Sequence, residues 1–251
     1  MQTLPLITII TTAFNCADTL EATIQSVITQ DYPNIEYIIV VSESTDTTQD
    51  IINKYKNKIT NVVFQEAKGI YPALNCGLSA GRGEIIGILN SDDLYADKDV
   101  ITTVAEEFKK SSSLAAWGDL VYVGRKNVNK IIRYWKSSQL DAEDFKRGWM
   151  PPHPTLFFKK DVFEKYGFYE NGFKFSADYE MVLRLFYKHK IKGSYIPKLF
   201  IRMRKGGRGD SNFIVRGIED YRVAKRYGLN AWSILLKKFL KISQFMVHPR
   251  S

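Results

Sequence analysis

Only two cysteines, Cys16 and Cys76, occur in 251 residues, too few for a disulfide framework. Their separation has no metal-ligand spacing, so both are expected as reduced thiols in or near a core. No uncharged apolar run is long enough to cross a bilayer, and the opening segment Met1 to Ile10 carries no basic region ahead of an apolar one. The expectation is a cytoplasmic chain with neither a signal peptide nor a spanning helix. No Gly-x-Gly-x-x-Gly follows the first strand-like run, which excludes dinucleotide binding. Internal repeats and low-complexity segments are also missing.

What is present is an ordinary globular composition, 45% hydrophobic and 25% charged, at a length suited to one α/β domain with a decorated C-terminal end. Lysine and arginine outnumber aspartate and glutamate by 36 to 27, a formal charge of +9 that favours an anionic partner. The excess is concentrated late: from Tyr221 to Ser251 there are seven Lys or Arg residues and no acid.

Leu6 to Ala13 reads as a buried strand, and Asp18 to Thr29 follows with Leu20, Ile24, Val27 and Ile28 at helical spacing. Ile35 to Val41 is a second strand. Ser44-Thr45-Asp46 offers N-cap chemistry for a helix through Tyr55. Val62 to Phe64, a helix over Gly69 to Ala80, a strand over Glu84 to Leu89 and a helix over Lys98 to Lys109 complete a βαβ series, hence a largely parallel sheet covered on both faces. Past Ser113 the pattern shifts to α+β: a hairpin of Leu114 to Val123 with Lys130 to Trp135, a strand at Leu156 to Phe158, a helix over Ser176 to His189, a strand over Tyr195 to Met203, and helices from about Phe213. Ligands of such sheets bind beyond the carboxyl ends of the strands, here Thr11 to Asn15, Ser42 to Asp46, Lys68 to Asn75 and Asn90 to Asp93.

Gly83 to Asp93 is a buried strand ending in adjacent carboxylates. Hard divalent cations take one or two carboxylates plus substrate phosphates, although a turn and helix cap explain such a pair equally well when it is taken alone. It has company along the chain. Thr8 to Asn15, Ser44 to Thr48, Gly69-Ile70-Tyr71, Ala73 to Gly77, Gly83 to Ile86, Ser91-Asp92-Asp93, His153-Pro154-Thr155, Ser176 to Glu180 and Met203 to Gly207 occur in an order and spacing that resembles the family 2 glycosyltransferases, particularly those building bacterial surface polysaccharides. The resemblance runs from Leu6 to about Asn212.

It implies a GT-A fold over residues 1–212, with a donor half to about 113 and an acceptor half beyond, followed by basic amphipathic helices over 213–251. It also implies an inverting transfer from a nucleotide-diphosphate sugar to a saccharide acceptor, free or polyprenyl-diphosphate-linked, and no nucleic acid. Asp93 is then expected to hold Mg²⁺ or Mn²⁺, and Asp92 to lie near the ribose or diphosphate. A cation there neutralises charge on the departing nucleoside diphosphate. Asp178 is the expected base, although an acid in a helix's first turn is also favoured by the helix dipole alone. Glu180 is expected to orient or pair beside it. Thr12, Phe14, Asn15, Ser42, Ser44, Lys68, Gly69 and Asn75 are expected around the donor, and Trp149, His153, Arg204 and Lys205 on the acceptor or diphosphate side.

Two departures bear on base recognition: the family's aspartates after the second strand are replaced by Val41-Ser42-Glu43, and Pro72 stands where relatives have an acid. The nucleotide is therefore left open among UDP, GDP and dTDP, with a non-catalytic glycan- or partner-binding protein as the alternative. Ala231 to Met246 reads as an amphipathic helix that either lies on an anionic membrane at the inner face of the plasma membrane or closes the core.

Overall fold

A computed structural model describes residues 4–66, 69–206 and 212–230. Lys68 and the helix expected over 231–246 lie outside them.

The opening run forms β1 (Ile7–Ala13), and α1 (Ala17–Ile28) leads to β2 (Ile35–Val41). Next come α2 (Thr48–Lys54), β3 (Asn61–Phe64), α3 (Ile70–Ala80) and β4 (Ile85–Ile88). β1 pairs in parallel with β2 and β4, and β2 with β3, giving the expected parallel half. Because neighbouring residues of a strand face opposite sides, Ile9 and Ile39 pack with Leu20 and Ile24 of α1, whereas Ile10 and Ile38 pack with Leu74 and Leu78 of α3. Both faces are thereby covered, which is why these strands read as unbroken apolar runs.

β5 (Asp93–Tyr95) precedes α4 (Val100–Lys110), β6 (Ala115–Val123) and β7 (Ile131–Trp135). Then follow α5 (Ala142–Lys146), β8 (Phe157–Lys159), α6 (Lys160–Tyr166), α7 (Ala177–Val182), β9 (Gly193–Arg204) and α8 (Phe213–Arg226). The sheet runs β3-β2-β1-β4-β8-β6-β9-β5, with β7 paired to β6 as the expected hairpin. β8 is antiparallel to both β4 and β6, so the sheet is mixed where the acceptor half begins. The helix expected over Ser176 to His189 changes character midway, since Leu183–Lys188 forms a π-helical turn.

Two glycines set the position of α3. A Cβ on Gly77 would lie 2.4 Å from Ile10 Cγ2, so only glycine lets α3 lie this close to β1. Gly69, just ahead of α3, has φ +130°, a backbone region that side-chain-bearing residues rarely enter.

Candidate active site

The loops after β1 and β2 are stitched to each other. Asn15, at φ 45°, donates its backbone N–H to Ser44 Oγ at 3.1 Å, and its Oδ1 accepts from Thr45 N at 2.8 Å. Ser44 Oγ in turn donates to Ser42 O at 3.1 Å, and Ser42 N donates to Ala13 O. The Asp46 carboxylate accepts from Ala17 N and Thr48 N, both at 3.0 Å, so one acid satisfies orphan donors at the starts of α1 and α2. Asn15 and Ser44 thus build the strand-end ledge through their polar atoms. Thr12 and Ser42 are half-buried on it, and Phe14 is 42% exposed beside it.

The two carboxylates past β4 have separate surroundings. Asp93 begins β5 opposite Met203 of β9 and is 1% exposed. Its Oδ2 accepts from Asn90 Nδ2 at 2.9 Å, and its Oδ1 from Arg204 N at 3.3 Å. Burial, and then the charge of Asp92, push its carboxyl well above the usual range. Asp93, the expected metal ligand, faces inward, and each of its oxygens accepts a hydrogen bond. Asp92 is half-buried. Burial raises its carboxyl too, opposed by its own backbone N–H and by the guanidiniums of Arg125 and Arg204.

Arg204 closes this corner. Its Nη1 donates to Asp92 O at 2.7 Å, while its Nε is buried without a partner among the described residues. Underneath, Thr23 Oγ1 of α1 bonds Ser91 O and Asp93 O at 3.0 and 2.8 Å. Lys205 continues from β9, its N–H on Val123 O. Among the described residues no cluster of three or more His, Cys, Asp or Glu side chains forms a metal cage. The donor set around Asp92 suits a hard cation only where substrate phosphates complete the coordination.

A second acid stands at the start of α7. Asp178 Oδ1 accepts from Tyr179 N at 2.8 Å and from Tyr71 Oη at 3.3 Å, and its Oδ2 has no partner among the described residues. Tyr71 comes from the first turn of α3 and stacks on Tyr169 with ring centroids 5.5 Å apart. Tyr169 Oη lies 2.8 Å from His153 Nε2. Burial holds the His153 imidazole below its usual range, against the pull of Asp178. His153 therefore joins the surroundings of Asp178.

Two expected ligands have other work. Asn75 donates Nδ2 to Tyr169 O at 2.8 Å and to Asn171 Oδ1 at 3.1 Å, and it accepts from Tyr169 N at 3.0 Å, which commits its amide to holding the Tyr169 loop. Glu180 is fully buried; it pairs with Arg184 Nε at 3.1 Å and accepts from Tyr227 Oη at 2.6 Å. These bonds make it a tie between α7 and the end of α8. Trp149 is half-buried after α5, with its N–H on Asp144 O. Arg125, in the polar β6–β7 turn, bonds Asp18 Oδ2 at 2.8 Å; no sequence signal distinguishes it from its neighbours.

Comparisons with known proteins bear on the fold and the family. An Escherichia coli protein, UDP-Glc:alpha-D-GlcNAc-diphosphoundecaprenol beta-1,3-glucosyltransferase WfaP, is 45% identical over 91 residues, which is 36% of each chain. Staphylococcus aureus TarS 1–349 in complex with UDP-GlcNAc superposes with a TM-score of 0.73 at 18% identity, over 88% of this chain and 65% of that one. The mannosyltransferase PcManGT of Pyrobaculum calidifontis, in complex with GDP-Man and Mn²⁺, gives a TM-score of 0.65 at 18% identity, over 88% of this chain and 64% of that one. These likenesses establish the GT-A fold. The Glycosyl transferase family 2 profile matches residues 8–167, more than half of the sequence, and the chain belongs to that family.

Proposed function

We propose that this glycosyltransferase moves a sugar, with inversion, from a nucleoside diphosphate sugar to a saccharide hydroxyl, the acceptor being free or carried on a polyprenyl diphosphate in surface-polysaccharide synthesis. The observation that carries the reading is the pairing of two acids with different surroundings: Asp92 among guanidiniums past β4, and Asp178 with one open oxygen at the start of α7.

In this reading the ledge of Thr12, Phe14, Ser42 and Gly69 receives the nucleotide. Asp92 takes the place that the sequence suggested for Asp93, holding Mg²⁺ or Mn²⁺ together with the donor's phosphates. Such a cation, when bound, neutralises charge on the leaving diphosphate. Asp178 Oδ2 accepts the proton of the acceptor hydroxyl as its oxygen forms the new bond to the anomeric carbon, while the bond to the diphosphate breaks. Tyr71 Oη and Tyr179 N fix the other oxygen, so the carboxylate keeps one orientation throughout. Direct displacement of this kind needs one base and yields inversion.

Several likenesses support it: the diphosphoundecaprenol acceptor named for WfaP, and the sugar nucleotides bound by TarS and PcManGT. The cationic stretch after Tyr221 suits an acceptor carried at the inner membrane face. No helix among the described residues is long and apolar enough to cross a membrane.

Calorimetric titration with UDP-, GDP- and dTDP-sugars, with and without Mn²⁺, tests the donor reading. Metal-dependent binding of one of them is expected. Binding of none would favour the non-catalytic alternative.

A further inference from the structure

Four elements converge on the corner that holds Asp92. Val123 at the end of β6 lies opposite Arg204 of β9, and Arg125 follows two residues later in the turn. Thr23 of α1 bonds the backbone of Ser91 and Asp93. Asp18, five residues earlier, therefore stands about 7.5 Å further along the helix axis toward its start. There it meets Arg125 in a monodentate pair, Nη2 to Oδ2 at 2.8 Å.

The two arginines of this corner differ in freedom. Arg204 is 7% exposed, and its Nη1 is committed to Asp92 O. It forms part of the wall. The Arg125 and Asp18 side chains are 44% and 60% exposed. A pair so exposed is worth little and exchanges readily for a better anion. A diphosphate is such an anion, because a guanidinium can grip two of its oxygens at once. The charge of Arg125 already reaches Asp92, where it favours the carboxylate.

We propose that Arg125 is a ligand of the donor's diphosphate, held ready by Asp18, and that donor binding exchanges the Asp18 carboxylate for phosphate oxygen. This rests on the donor reading above. It assigns a ligand from the β6–β7 hairpin to a site otherwise built from β1, β2, β4 and β9. Asp18 is then a built-in competitor that weakens donor binding.

The test is titration of UDP and GDP in Mn²⁺ into the wild type, Arg125→Gln, Asp18→Asn and the double variant, each checked for folding by its melting curve. Arg125→Gln should weaken the Kd about tenfold, the loss of one charge-assisted contact, or about 1.4 kcal/mol. Asp18→Asn should tighten it about twofold to fivefold. The double variant should match Arg125→Gln, since Asp18 has nothing left to compete for. An unchanged Kd in Arg125→Gln, or weaker binding in Asp18→Asn, overturns the assignment. If Asp18→Asn still tightens binding in the Arg125→Gln background, Asp18 acts through bulk charge and the exchange is refuted. If the wild type binds none of UDP, GDP and, titrated in the same way, dTDP, the donor reading falls as well.

Discussion

Glu180→Ala should leave the protein folded but strongly destabilised, whereas Asp178→Asn, two residues away, should melt nearly as the wild type does. Glu180 is fully buried, and the Arg184 side chain it pairs with is 11% exposed. Removing one partner of a buried ion pair typically costs about 3–5 kcal/mol, because the remaining charge stays desolvated. Arg184 cannot easily turn to solvent: its Nη1 donates to Tyr166 O and Gly167 O, and its Nη2 to Phe168 O. The Tyr227 hydroxyl also loses its acceptor. At about 2–4 °C per kcal/mol for a chain of this size, the melting temperature should fall by roughly 6–20 °C. Asp178 is half-buried, and in the asparagine variant Oδ1 still accepts from Tyr71 Oη and Tyr179 N, so only the charge assistance of these bonds is lost, about 1 kcal/mol. Differential scanning calorimetry of both variants decides the matter. A Glu180→Ala protein melting within about 2 °C of wild type would refute the division between a structural and a reactive acid.

Gly77→Ala should cost about 1–3 kcal/mol in chemical denaturation, since the added carbon would meet Ile10 Cγ2 at 2.4 Å. Asp92→Asn should abolish the Mn²⁺ dependence of nucleotide binding seen by calorimetry. Asp93→Asn should keep that dependence and lose stability, because it disturbs the bonds from Asn90 and Arg204. Glu36 is raised by burial, but bonds from Thr8, Arg82 N and the Arg82 guanidinium outweigh this, so its carboxyl sits below the ordinary 4.5. Its contribution is complete above that value and is lost as pH falls through the depressed folded value. Glu36→Gln should therefore flatten the acid side of a stability–pH curve, measured by urea denaturation at successive pH values.

The parallel half of the fold was legible because buried strands and amphipathic helices carry their period locally. β1, β2 and the helix between them fall within a residue or two of expectation. β5 was not legible: three residues after an acidic turn become a strand only by pairing with β9, more than a hundred positions away. The insertion of β8 between β4 and β6 is likewise a long-range choice that no local pattern encodes. The site divides the same way. Its acids lie where strand ends and helix starts announced them, but which acid faces inward depends on Arg204 arriving from a distant strand. Asn75 and Ser44 carry the right chemistry for a ligand, yet their partners are groups of the neighbouring loops, mostly backbone. Arg125 was hidden because its importance derives from Asp18 and Asp92, neither of which is near it in sequence.

The central claim is that Asp178 takes the acceptor's proton. The most direct test is sugar transfer to a saccharide acceptor that the wild type glycosylates, from whichever nucleotide sugar the protein binds, with donor Kd measured on the same preparations. Asp178→Asn should bind donor as the wild type does and transfer about 10²–10⁴-fold more slowly. Transfer at the wild-type rate by that variant would contradict the account.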